Sequence, residues 1–157
     1  MAVASVEWSE SNLAGPTVTD GISNINFGSN ESANIVVATY PITTGTNSYH
    51  KAIRFHCSNM GTSNKLDNFQ FWKSAGTLMT EETLVWLMQV AYVRPVTTSL
   101  GATGCPTADP GSSNVTPAAG LSAVGYSDYI HLQVKSTTNT EAGNANQLTF
   151  TLQYDEQ

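Results

Sequence analysis

Three histidines, twelve carboxylates and two cysteines are the residues of this chain best suited to chemistry. His50 and His56 fall on one side of an alternating stretch, and two imidazoles on one face are half of a zinc site. At about 3.3 Å per residue, however, positions six apart lie about 20 Å apart, much too far to share one ion held at about 2 Å. Both are therefore expected to be solvated strand residues, and so is His131, which stands alone on its own strand. Adjacent acids occur at Glu81-Glu82 and Asp155-Glu156, both at element ends, where carboxylates are usually solvated. Two of the twelve acids meeting in the fold for glycosidic chemistry would leave no mark in the sequence. Asp109-Pro110-Gly111 reads as a turn, since a calcium ion needs six to eight oxygens and one carboxylate is thin support for it.

Cys57 and Cys105 make no Cys-x-x-Cys pair. Cys57 sits on the apolar side of its strand as a small buried hydrophobe would, with a Cys57–Cys105 bridge as the alternative under oxidising conditions. The sequence contains no Gly-x-Ser-x-Gly elbow, no phosphate loop and no His-Glu-x-x-His; hydrolase, kinase and zinc-protease readings each lose their main support. The expectation is a protein that is not an enzyme, with no catalytic residue, no metal and no cofactor.

The elements that would position these groups are strands. Charged residues make up only 11% of the 157 residues, so Ser, Thr and Asn, roughly three residues in ten, must keep the surface wet, and they favour strands and turns over helix interiors. A length of 157 residues suits one domain with one core. The net charge of −6, with six scattered basic residues, argues against nucleic acid and against an anionic membrane surface. No apolar run approaches a membrane span, and residues 1–9 lack the pattern of a secretory signal. Without an export signal, the sequons at Asn30 and Asn114 read as chance matches.

Period-two alternation is strong in three places. Tyr49–Ser58 sets Ile53, Phe55 and Cys57 against His50, Arg54, His56 and Ser58. The stretch 129–135 sets Ile130, Leu132 and Val134 against Tyr129, His131, Gln133 and Lys135, and 148–155 sets Leu148, Phe150, Leu152 and Tyr154 against polar residues. Further strands are expected at Val3–Ser9, Ala33–Tyr40 and Asn68–Lys73. Thr83–Val93, apolar on both faces, is expected to be a central strand, with a short buried helix as the runner-up. Turn-rich segments separate them, the longest being Thr98–Gly120, the leading candidate for a contact loop. About eight short strands point to an all-β, two-sheet antiparallel sandwich. Jelly-roll topology is favoured over an immunoglobulin-like one because the Cys-Trp-Cys framework is missing. Residues 1–9 are read as an N-terminal arm or an edge strand.

With no site chemistry, the residues that stand out are candidates for partner contact: Val3, Val6 and Trp8 near the N-terminus, Trp72 opposite Phe69 and Phe71, Pro106, Asp109 and Pro110 in the long loop, and Tyr126. For the tryptophans, core packing is the competing role.

The segments DNFQFWKSAGTLMTEETLVW (67–86), CPTADPGSSNVT (105–116), GYSDYIHLQV (125–134) and FTLQYDE (150–156) resemble small all-β structural proteins of tailed-bacteriophage particles, of the kind that decorate or cement a capsid. The resemblance covers about half the chain and carries over no catalytic residue. It implies a homo-oligomer, a trimer by preference, that is made in the host cytoplasm and binds the major capsid protein or another virion protein at the particle surface. On this reading Val3–Trp8 and the long loop are buried between subunits. The alternatives are a carbohydrate-binding or host-attachment sandwich, with Trp72 or Tyr126 as stacking platforms, and a tail or fibre component.

Overall fold

The computed structural model describes residues 3–101, 103–140 and 147–157. Among these residues nine strands run in the order β1 (Ser5–Asn12), β2 (Thr17–Asp20), β3 (Lys51–Asn59), β4 (Leu66–Ala75), β5 (Thr83–Gln89), β6 (Thr103–Gly104), β7 (Gly125–Tyr126), β8 (Tyr129–Lys135) and β9 (Thr149–Glu156). There is no helix among the described residues, and the strands form two antiparallel sheets packed as a sandwich. One sheet follows the order β2-β1-β3-β8-β5-β6, with β7 beside β3, while the other has only β4 and β9. The three strongly alternating stretches became β3, β8 and β9, and Thr83–Gln89 is a strand, not a helix.

The small sheet is anchored by aromatic rings. Phe69 and Phe71 on β4 are fully buried. Phe71 meets Trp8 of β1 edge-on at 5.8 Å and stacks on Trp86 of β5 at 5.9 Å and on Phe150 of β9 at 5.6 Å. Phe55 of β3 lies 4.2 Å from Phe69. A bulge after Asp67 makes this possible: Asn68 takes a left-handed φ of 53° and the register with β9 slips there. Leu66, Phe69 and Phe71 therefore all point inward despite their three-then-two spacing. Asn tolerates that backbone region better than most residues do.

The loop expected to reach a partner is largely committed to its own chain. Residues 105–121 run along the free edge of β4 and complete its hydrogen bonding. Lys73 N donates to Pro106 O, Asn114 N to Phe69 O, and Leu66 and Leu121 exchange both of their main-chain bonds. Asn114 acts as a piece of strand: its side-chain Oδ1 accepts from Phe71 N and its Nδ2 donates to Phe71 O, each at 2.8 Å. Its amide is thus occupied in the folded chain, and Val115 and Cys105 beside it are buried. Gly120 closes the segment at φ 77°, where a Cβ would stand 2.4 Å from Leu66 O. Edge strands need such cover because unpaired main-chain groups invite foreign strands.

Of the arm and the edge strand expected near the N-terminus, the described residues form a strand: Ser5–Asn12 pairs with β3 over Ser5–Ser11 and with β2 over Ser9–Asn12, leaving its first half as an edge. Val6 and Trp8 pack on the core of their own chain, and only Val3, 71% exposed, stays free. Ala33–Tyr40 is a series of turns, not a strand. Asn34 is left-handed, Thr39 N and Tyr40 N both donate to Val36 O, and Ile35 is buried while Val36 and Val37 face solvent. The apolar run there did not alternate, so it carried no sheet face.

Replacing Asn114 with Ala leaves both main-chain groups of Phe71 without partners. Urea unfolding is expected to show a loss of about 2–4 kcal/mol with an unchanged m-value.

Candidate functional site

Ser48 and Lys51 open the path to the polar groups, because β3 and β8 lie at the centre of the large sheet and both of their faces are covered. The inner face carries Ile53, Phe55, Ile130 and Leu132. It also carries an ion pair: Lys51 Nζ lies 3.0 Å from Glu10 Oε1, with both side chains fully buried, and donates to Ser32 O at 2.8 Å. Burial raises the Glu10 carboxyl above its usual range, and the Lys51 charge only partly opposes this.

The outer face, expected to meet solvent, is instead covered by the stretch 91–101. Gln133 Nε2 donates to the carbonyls of Ser48 (2.9 Å) and Thr98 (3.2 Å), and its Oε1 accepts from Leu100 N. His50 and His131 lie beneath the same cover, fully buried, with their Nδ1 atoms 3.0 Å apart. One ring must donate and the other accept, so the two hold different tautomers when both are neutral. Neither Nε2 has a hydrogen-bond partner among the described residues. Burial lowers His50 to about 4 and His131 to about 3, with His50 adding to the shift at His131. These two were expected to be solvated. The partner of His50 turned out to be a residue 81 positions away on a neighbouring strand, beyond the reach of any local pattern.

His56 takes the opposite end of the outer face. The registers place Glu7 directly across from it on β1 and Tyr126 across from it on β7, with Asp20 beside Ser9 on β2. His56 Nδ1 is 3.0 Å from Glu7 Oε1 and 4.0 Å from Asp20 Oδ1. Ser9 Oγ donates to Asp20 Oδ1, and Tyr126 OH donates to Asp20 Oδ2 at 3.2 Å. The Tyr126 ring lies 4.1 Å from the His56 ring at 12°, and Arg54 Cζ stands 3.7 Å from the same Tyr126 centroid. Arg54 and His56 are two apart on β3 and so flank the ring. Both faces of Tyr126 are therefore taken, and it is not an open platform for a sugar.

The other contact candidates are dispersed. Trp72 is half-buried on the outer side of β4, opposite Thr151. Asp109 is exposed and its Oδ1 accepts from Gly111 N at 2.7 Å, which is the turn geometry its neighbours suggested. Pro106 and Pro110 are half-buried near it. Cys57 and Cys105 are both free and buried; burial raises both thiols, Cys105 to about 11.

The large exposed apolar side chains lie elsewhere. Besides Val3, they include Val36 and Val37 in the turns of 33–40 and Val90, Val93 and Val96 in the segment 90–96 that follows β5, with Val90 81% exposed. Arg94 joins the two stretches through a two-pronged pair with Glu31 at 2.7 and 3.0 Å, and Tyr92 OH donates to Leu13 O. Val96 O is held by His50 N. These valines thus sit on tethered backbone.

No family model, curated protein or solved structure matches the chain.

The histidine pair fixes a pH dependence. Both folded pKa values lie below the ordinary 6.5, so the unfolded chain binds more protons between them. Stability from the neutral pair is complete above about pH 6.5 and is lost as pH falls toward 4 and then 3, by up to about 1.4 kcal/mol per pH unit for each ring. Glu10, raised above 4.5, acts in the opposite sense. Urea midpoints from pH 7.5 to 4 are expected to fall for the native chain and to fall less steeply for His131→Gln.

Proposed function

We propose that this chain is a structural protein of a virus particle, one that docks on the assembled shell and reinforces it. The observation that carries the reading is the set of five exposed valines, 36, 37, 90, 93 and 96, on two stretches held in place by hydrogen bonds and by the Arg94–Glu31 pair. Apolar side chains kept in water on ordered backbone suit a protein surface that covers them. A hydroxyl-rich exterior with few charges suits the same role, and the resemblance of 67–86, 105–116 and 125–134 to phage decoration proteins points the same way.

On this reading the docking groups overlap only in part with those the sequence suggested. Val6 and Trp8 serve their own core, and the long loop serves β4, whereas Val3 and the covering stretches face outward. Docking at many identical sites, in oligomers such as trimers, lets weak contacts suffice through effective concentration.

The experiment is electron microscopy of virions carrying labelled protein. Regular label over the shell is expected, with a Val90→Asp/Val93→Asp variant that keeps its melting temperature and binds particles at least roughly tenfold more weakly. Label confined to the tail, or no label together with a positive glycan array, would refute the reading.

A further inference from the structure

We propose that Glu7, Asp20 and His56 form a binding site for one divalent transition-metal ion on the outer face of β1, β2 and β3. One donor atom from each lies within 4.8 Å of the other two. An ion bonded at about 2.0–2.1 Å in a tetrahedral arrangement needs its ligands about 3.3 Å apart. Glu7 Oε1 and His56 Nδ1 stand at 3.0 Å, His56 Nδ1 and Asp20 Oδ1 at 4.0 Å, and all three ligand atoms lie within 4.8 Å of one another, so side-chain rotations of these half-buried and exposed groups can close the geometry. Two carboxylates offset the two charges of the ion, and one imidazole selects zinc-like ions over calcium or magnesium, which take oxygen donors alone.

The second observation is that the ligands are already oriented. Ser9 is fully buried and aims its hydroxyl at Asp20, and the Tyr126 hydroxyl holds the other oxygen of the same carboxylate. The Tyr126 ring fixes the plane of His56 by stacking. Outer contacts of this kind set ligand direction in metal sites, and their loss typically costs 10–100-fold in affinity. At Gly21, next to Asp20, φ is 68°, and a Cβ would come within 3.3 Å of Glu7 Oε2, so the turn leaves that carboxylate room. The Arg54 guanidinium is engaged over the Tyr126 ring, 3.7 Å from its centroid.

With three protein ligands, at least one position of the ion faces solvent. The ion ties three strands that adjoin the open first half of β1. This inference does not depend on the particle assignment.

The test uses the full chain, freed of metal by a chelator. Cobalt(II) is titrated while its visible d–d absorption is followed, zinc(II) is then added to displace it, and melting is recorded with and without zinc. Expected are one equivalent bound, a rise in Tm of roughly 5–10 °C at zinc about a hundredfold above its Kd, and affinity lowered at least tenfold in His56→Gln and in Asp20→Asn. Asp109→Asn, a surface acid elsewhere, should bind as the native chain does. Asp20→Asn keeps an oxygen for Ser9 and Tyr126, and the His56 imidazole NMR signals of the native chain report zinc directly if His56→Gln does not fold. No uptake, unshifted His56 signals, or binding unchanged in both variants would overturn the proposal and leave an ordinary histidine–carboxylate contact.

Discussion

A sheet of seven strands faced by a sheet of two sets the terms for everything else in this fold. β4 and β9 together are too narrow to shield the wide sheet, so irregular chain must finish the work on both of its sides. Irregular chain brings main-chain polar groups with it, and each one placed out of water needs a partner. That requirement explains why so many side chains here bond to backbone: Asn114 to Phe71, Gln133 to three carbonyls, Lys51 to Ser32. The aromatic cluster around Phe71 fixes where the small sheet sits, and the polar anchors fix the loops around it.

The same constraint makes the interior unusually polar at the sheet centre. Glu10 and Lys51 close one end of the inner face, while His50, His131 and Gln133 line the outer face beneath the covering stretch. Such groups are costly when half-satisfied, and here Glu10 Oε2 and both Nε2 atoms lack partners among the described residues. The stretch above them is held in the place where it displays Val90, Val93 and Val96.

What could be read from the sequence was whatever depends on short-range alternation. β3, β8 and β9, the inward direction of Ile53, Phe55 and Cys57, and the Asp109 turn are all local patterns. The character of the outer face was not legible, because Tyr129, His131 and Gln133 alternate as a solvated face would, and only the distant loop over them makes it an interior. For the Glu7, Asp20 and His56 group the obstacle was register. An acid on each of two strands and a histidine on a third have no fixed spacing until the β1–β2 turn and the β1–β3 pairing are known. One signal was present: a hairpin closed by the Leu13–Pro16 turn pairs Ser9 with Asp20 and so brings Asp20 diagonal to Glu7 on one face. The pairing of the long loop with β4 was hidden for a related reason. Its turn residues were recognised, but Asn114 mimicking a strand depends on the unpaired edge of β4, which no pattern in the loop itself records.

Cys57 and Cys105 sit inside the core as uncharged thiols, far from forming the reactive anion at neutral pH. Oxidants in solution reach these two sulfurs only when the sandwich opens, so the rate of opening, and not the thiol chemistry, limits their modification.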